Sequence, residues 1–289
     1  MVNSMSQTGK IIQEMRIKAG FTQKSLADAL HITDKAISKW ERGICLPDTA
    51  LLPKIALILG VDINHLMSVS IEEEDWVGLI DIHDCDLSQK IYDKPLVYYL
   101  LNHYLLLGIT DIHFITDEVN QEYLKKPWYE QFGFSFSFDV PTDKNVMLIR
   151  HPWFLFGSDL TQLFQGTMLS GRTVSLKPEN QESIFYFIQK DESEILNDPE
   201  GLDEKCVPRT LGRGMIAFDM GDYDKCLDVA AFVRTYQANT GMLMASLEEI
   251  AYRQGRLSEE KIKEIADIVP CGGYLAKLIH PNIDDAKRN

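Results

Sequence analysis

No stretch of this 289-residue chain approaches the run of about 20 apolar residues that a bilayer crossing needs, and the amino end shows no signal-peptide pattern. Membrane-spanning and secreted classes are therefore set aside, and a cytoplasmic location is expected. Cysteine is scarce. There are five, an odd number without a C-x-x-C pair, so neither a disulfide framework nor a zinc ribbon is expected and the thiols read as reduced. Internal repeats and low-complexity tracts are absent, which excludes solenoids and disordered tails as the organising principle. Positive charge is short as well, 29 Lys+Arg against 43 Asp+Glu, and it is unevenly placed. Residues 1–70 hold 8 basic against 6 acidic side chains and the remainder 21 against 37. An acidic body repels polyanions, so any nucleic-acid contact is confined to the first stretch. Finally, no glycine stands between Gly78 and Gly108.

What the first stretch does have is a legible pair of short helices, Phe21–Gly43. Thr22 is placed to cap one, with Leu26, Ala27 and Leu30 at helical spacing on its buried face. His31-Ile32 breaks the pattern, and Thr33 is placed to cap a second helix that turns Ala36, Ile37 and Trp40 inward. Thr33, Asp34, Lys35, Ser38 and Lys39 are left outside. Short polar groups and two cations on one face are what a helix needs to reach base edges while neighbours grip phosphates. Around this pair, Thr8 opens a helix over Gly9–Ala19 that ends at Gly20. A fourth helix begins at Pro47-Asp48 and stops at Gly60, and a fifth starts at Asp62.

The T-Q opening, the I-S-K-W-E-R-G ending and the L-L-P-K-I-A-L-I-L-G that follows resemble the phage-repressor (Xre-like) helix-turn-helix family. The resemblance implies an all-α, five-helix DNA-binding domain over residues 1–68. Its partner would be double-stranded DNA, contacted by Thr33, Asp34, Lys35, Ser38 and Lys39, with Gln23 near a phosphate. An acidic linker, 69–75, follows.

From Trp76 the texture changes. Trp76–Ile82 reads as a strand, Lys94–Leu107 as an apolar helix and Asp111–Thr116 as a strand, the order of a parallel βαβ unit. Strands are expected at Phe132–Val140, Val146–Arg150, Phe185–Ile188 and Met215–Phe218. Helices are expected from Asp159, over Asp222–Asn239 and over Ser258–Val269. Three segments, IYDKPLVYYLLNHYLLLGITDIHFIT (residues 91–116), LGRGMIAFDMGDYD (211–224) and LEEIAYRQGRLSEEKI (247–262), resemble the sugar nucleotidyltransferases, in particular the glucose-1-phosphate thymidylyltransferase branch. The resemblance implies a C-terminal α/β domain over 76–289, a mixed and mainly parallel Rossmann-like sheet with a nucleotide in the crevice at the strand ends. The whole chain is then α+β and multi-domain.

Measured against that family, three elements are missing. The glycine-rich phosphate loop is replaced by His83–Lys90, Asp86 stands where the resemblance implies a catalytic lysine, and the G-D-N metal strand ends in Arg150-His151. The second metal aspartate persists as Asp219, kept as the one candidate ligand-binding residue. His83-x-Cys85 reads as a solvated acidic turn, and Cys226 and Cys271 as packing or turn residues, since none has a zinc-spaced or histidine partner. The expectation is accordingly not an enzyme: no catalytic residue, no metal, no cofactor. The chain reads as a homodimeric or higher-order DNA-binding transcription regulator, its second domain a degenerate transferase serving oligomerisation, the sensing of a nucleotide or nucleotide-sugar effector, or both. Two alternatives stay open: a working sugar-1-phosphate nucleotidyltransferase with a DNA-binding extension, and a DNA-binding scaffold that takes no small ligand.

Overall fold

The computed structural model describes residues 2–61, 66, 76–83, 85–179, 181–269 and 272–279, and the chain divides into two compact units, Met1–Ile71 and Glu72–Asn289. The first unit is helical: α1 (Val2–Lys18), α2 (Gln23–Leu30), α3 (Asp34–Glu41) and α4 (Leu52–Leu59). Helix α1 begins well before the Thr8 start read from the sequence. Thr8 is buried instead. The Thr22 cap forms as a capping box, Thr22 and Ser25 exchanging side-chain and backbone hydrogen bonds. Thr33 precedes α3 in extended backbone but makes no side-chain cap. Helix α4 starts at Leu52, because Asp48 spends its carboxylate on the Ala50 N–H in a turn. The fifth helix, apart from the buried Leu66, and the linker 69–75 lie outside the described residues.

Apolar stripes from the four helices converge: Ile12, Leu26, Leu30, Ile37, Trp40, Ile55 and Leu59 form one core with Leu66. Gly9 lets α1 sit against the Trp40 carbonyl of α3, where any Cβ would collide with backbone. Within this core one ion pair is sequestered, Arg16 Nε to Glu41 Oε1 at 2.6 Å, with Arg16 also donating to the Phe21 carbonyl at 2.7 Å. Such a pair holds its helices in register, since either charge alone in that place is costly.

The second unit is built on a seven-stranded sheet, in the order β10-β8-β9-β6-β1-β4-β5. Its strands are β1 (Trp76–Asp81), β4 (Asp111–Ile115), β5 (Ser135–Ser137), β6 (Asn145–Ile149), β8 (Val174–Lys177), β9 (Phe185–Ile188) and β10 (Val207–Thr210). A small hairpin, β2 (Lys90–Ile91) with β3 (Lys94–Pro95), and a two-stranded ribbon, β7 (Trp153–Phe156) with β11 (Ile216–Asp219), complete the strands. Pairing is parallel for β1/β4, β1/β6, β4/β5 and β8/β10 and antiparallel where β9 meets β6 and β8. The α-helices of seven or more residues are α5 (Leu96–Leu106), α6 (Glu118–Leu124), α7 (Leu160–Met168), α8 (Tyr223–Thr240), α9 (Leu247–Arg253), α10 (Glu259–Ile268) and α11 (Gly272–Ile279). The strand read over Phe132–Val140 shortens to three residues, because Glu130–Phe132 coils into a 3-10 turn and Gly133 takes a left-handed φ of +87°.

Helix α5 is the pillar of this unit. All its residues but Leu106 are buried, so its polar groups must find partners inside. Tyr104 Oη donates to the Leu79 carbonyl at 2.9 Å and Tyr99 Oη to the Ile91 carbonyl at 2.8 Å. Gly78 of β1 lies under the Tyr104 ring, where a Cβ would meet both it and Ile112. His103 is wholly buried. The Leu155 N–H donates to its Nε2 at 3.1 Å and its Nδ1 faces the Leu100 carbonyl at 3.3 Å. Burial pushes the His103 pKa down to about 4.

Candidate functional site

Two places qualify, one in each unit. In the first unit, burying Leu26, Leu30, Ile37 and Trp40 turns the opposite faces of α2 and α3 outward. Thr33, Asp34, Lys35 and Lys39 are exposed, and Ser38 is half-buried. Asp34 Oδ1 accepts the Lys35 backbone N–H at 2.8 Å, so this carboxylate is spent on the first turn of α3. Gln23 is held on the inner side, its Nε2 donating to Glu41 Oε2 at 2.7 Å. Its amide is therefore positioned by the same Glu41 that neutralises Arg16, a second role that sequence spacing did not disclose. The result is a rigid helix pair presenting hydroxyls and two cations on one face.

In the second unit, the chain crosses from β1 to β4 on one side and later returns to β6 on the other. The strand order reverses there, at the carboxyl ends of β1 and β6, the position at which open α/β sheets take their ligands. Asp81 ends β1. Its carboxylate meets His83 Nε2 at 3.1 Å and Arg150 Nε, at the end of β6, at 3.9 Å. Arg150 also donates to the Pro199 carbonyl at 2.6 Å. The end of β11 joins this rim, because the Met220 N–H donates to the Pro152 carbonyl at 2.8 Å. That places Asp219 beside the 151–153 segment, paired in register with Trp153.

The Asp219 carboxylate is engaged. Lys225 Nζ lies 2.8 Å from Oδ2, and the Gly221 N–H donates to Oδ1 at 2.7 Å. A magnesium ion demands several oxygens in near-octahedral array. One carboxylate already neutralised by an ammonium does not fit that ion as the side chains stand.

The loop that follows β1 is pinned by a residue the sequence did not mark. Asn120 of α6 is buried, accepts the Leu87 N–H at 3.0 Å and donates to the Cys85 carbonyl at 2.7 Å. Asp86 is exposed and caps its own turn, accepting from the Ser88 N–H and hydroxyl at 2.8 and 2.6 Å. Burial pushes the Cys85 thiol up to about 11, with Cys226 and nearby carboxylates adding to the shift. Cys226, raised by burial as well, directs its thiol at the Met220 carbonyl. Thiols held protonated are poor nucleophiles. Cys271 lies outside the described residues.

A buried polar cluster was also missed. Glu248, in the first turn of α9, accepts from Tyr98 Oη at 3.1 Å and from Ser246 Oγ at 3.2 Å. Lys94 is equally buried and meets Asp93 at 2.6 Å. These groups border a cavity of about 170 Å³ closed by Leu243 and Leu275. Burial raises the Glu248 pKa, opposed by Lys94 and by its hydrogen bonds. A second cavity of about 310 Å³ lies between β7 and α9, with an apolar floor and the Glu249–Arg253 pair, 2.8 Å apart, on its lining.

Residues 12–66 match the family model described as "Helix-turn-helix". The chain is 32% identical over 100 residues to the SPbeta prophage-derived HTH-type transcriptional regulator YonR of Bacillus subtilis (strain 168), covering 32% of this chain and 92% of that protein. It is 27% identical over 259 residues to a glucose-1-phosphate thymidylyltransferase of Neisseria meningitidis serogroup A, covering 65% of this chain and 90% of that protein. Among solved structures, a UDP-glucose pyrophosphorylase from Acinetobacter baumannii superposes with a TM-score of 0.42 at 10% identity, covering 62% of this chain and 99% of that one. The thymidylyltransferase likeness corrects one expectation. That the chain is not an enzyme was argued from a lost loop and a lost metal aspartate. A match across nine-tenths of a thymidylyltransferase overturns it, because a phosphate cradle rests on backbone N–H groups that another loop can supply.

Proposed function

This chain belongs to the helix-turn-helix family through its first unit, and from that premise we propose that it is a sequence-specific transcription regulator acting in the cytoplasm. DNA reading falls to residues 1–68, and residues 76–289 bind a nucleotide or nucleotide-sugar effector and pair the protomers. The observation that carries this reading is the exposed face of α3: Lys35 and Lys39 stand outside while Ile37 and Trp40 are buried. A helix so presented reaches base edges, and two of them about one helical turn apart read the two halves of an operator. The effector falls to the switch-point crevice, with Asp219 on its rim. The test is retention of genomic fragments by the full-length chain, repeated with Lys35→Ala and Lys39→Ala. A thermal-shift screen against nucleotides and sugar nucleotides tests the effector, since a ligand at 100 Kd stabilises by about 2.7 kcal/mol.

A second reading is favoured by the thymidylyltransferase likeness: nucleotidyl transfer to a sugar 1-phosphate by the second unit. Its readout is pyrophosphate release from a nucleoside triphosphate and a sugar 1-phosphate, compared between the wild type and Asp219→Asn.

A further inference from the structure

Helix α8 runs 18 residues, about 27 Å, and only one side of it is buried: Cys226, Val229 and Val233. The opposite side is apolar at its centre. Tyr223 is 68% and Leu227 51% exposed, and Ala231 and Ala238 continue the same face in the open. Helix α8 packs on β11 and β2, and both bring further apolar surface. Ile216 of β11 is 43% exposed. Tyr92, at the tip of the β2–β3 hairpin, is 46% exposed and is held at a φ of +59°. A tyrosine in left-handed backbone is strained, and such strain persists where the surroundings or a partner make use of it. Gln237 ties that hairpin to α8 by donating to Asp93 Oδ2 at 3.4 Å.

The charges on this face carry the argument. Asp224 near the amino end and Arg234 toward the carboxyl end are both exposed, and neither makes an ion pair within the chain among the described residues. Lys225, by contrast, is committed to Asp219 and Asp222. The face is self-complementary under a two-fold axis at the level of Val229. Antiparallel pairing there sets Leu227 against the copy's Ala231, a large residue against a small one, and Asp224 against the copy's Arg234. The symmetry makes each contact twice.

The sheet offers no comparable route at β10. Pro208 sits on that outer strand, and a proline without an N–H blunts an edge against strand addition.

We propose that this face of α8 is the contact between two copies of the chain, packed antiparallel through Tyr223, Leu227, Ala231 and the reciprocal Asp224–Arg234 pairs. The proposal deepens the reading of the second unit as the pairing unit of a DNA-binding regulator and rests on it. Self-association is measured on the full-length chain by sedimentation across a concentration series, with the melting temperature as a check on folding. Asp224→Arg and Arg234→Asp each place two like-charged contacts across the axis, and each weakens the dimer at least about tenfold. The double variant D224R/R234D restores it to within about threefold, which a merely structural role for either side chain would not. Leu227→Asp weakens it further. A dimer indifferent to all four variants, or lost in the single swaps without rescue in the double, overturns the proposal. The DNA reading is judged separately. A monomer that still retains specific DNA sinks the α8 contact alone, whereas a swap-sensitive dimer that retains none sinks the regulator and leaves the contact standing.

Discussion

The two units of this chain solve the same problem, burying polar groups, in opposite ways. The first keeps almost everything polar outside and admits one ion pair, Arg16–Glu41, with Gln23 attached. The second fills its central helix with hydrogen-bonding side chains, Tyr98, Tyr99, His103 and Tyr104, and answers each with a carbonyl, an N–H or a carboxylate. Short helices pack by stripes, so their interior stays apolar. A helix enclosed by a sheet and a second layer has no outward face to which its polar groups can be assigned. The difference teaches where each unit is vulnerable: the first to loss of one charge, the second to a change in proton occupancy.

Removing Glu41 is expected to give the largest effect. Glu41→Ala leaves Arg16 buried without its partner and should cost the first unit about 3–5 kcal/mol, read by calorimetry as a fall in one transition with the other unmoved. A common fall in both transitions would break the picture of two separate cores.

Acidification comes next and falls on the second unit. The folded-state pKa of His103 is pushed down to about 4, below the ordinary value of about 6.5. The unfolded chain therefore takes up a proton between those values while the folded chain stays neutral. Stability present at pH 7 is lost as pH falls through that window, up to about 3 kcal/mol. Glu248 works the other way, since a carboxyl whose pKa is raised by burial favours the folded state once protonated. Urea titrations at pH 7 and pH 4.5 should show the loss, and Glu248→Gln should steepen it. A loss of equal size in the first unit would remove His103 as the cause.

On the face proposed to read DNA, Lys35→Ala should cost about 1–3 kcal/mol of discrimination between operator and competitor if its ammonium meets a base, measured by competition anisotropy. A uniform loss with a shallower salt dependence would reassign it to a phosphate. The smallest contrast is within the helix pair itself. Thr22→Ala should cost about 1 kcal/mol, because its hydroxyl accepts from the Ser25 N–H at 3.0 Å. Thr33→Ala should cost far less, because Thr33 makes no such bond. Equal melting temperatures for the two variants would refute the distinction.

Much of the first unit was legible in the chain because its contacts are local: stripes at helical spacing named Leu26, Leu30, Ile37 and Trp40 as core, and their complement as surface. Even there, the roles of Gln23 and Thr33 turned on Glu41 and on backbone angles that spacing does not carry. In the second unit the βαβ start and the two long late helices were readable. Strands β7, β8 and β10 were not; β10, for one, is exposed along its length and carries Pro208, so neither alternation nor an apolar run marks it.

The chain by itself determined the helix-turn-helix, the confinement of a net positive balance to its first 70 residues and the α/β character of the remainder. Each of these is a matter of periodicity, composition or an ordered motif. Only the tertiary structure decided that Asp219 is held by Lys225, that Asn120 pins the loop after β1, that Glu248 meets Tyr98 inside and that α8 turns Leu227 outward. Glu248 and Tyr98 are 150 residues apart in the chain. Nothing local records such a meeting, because a side chain's protonation and partners are set by what folds against it.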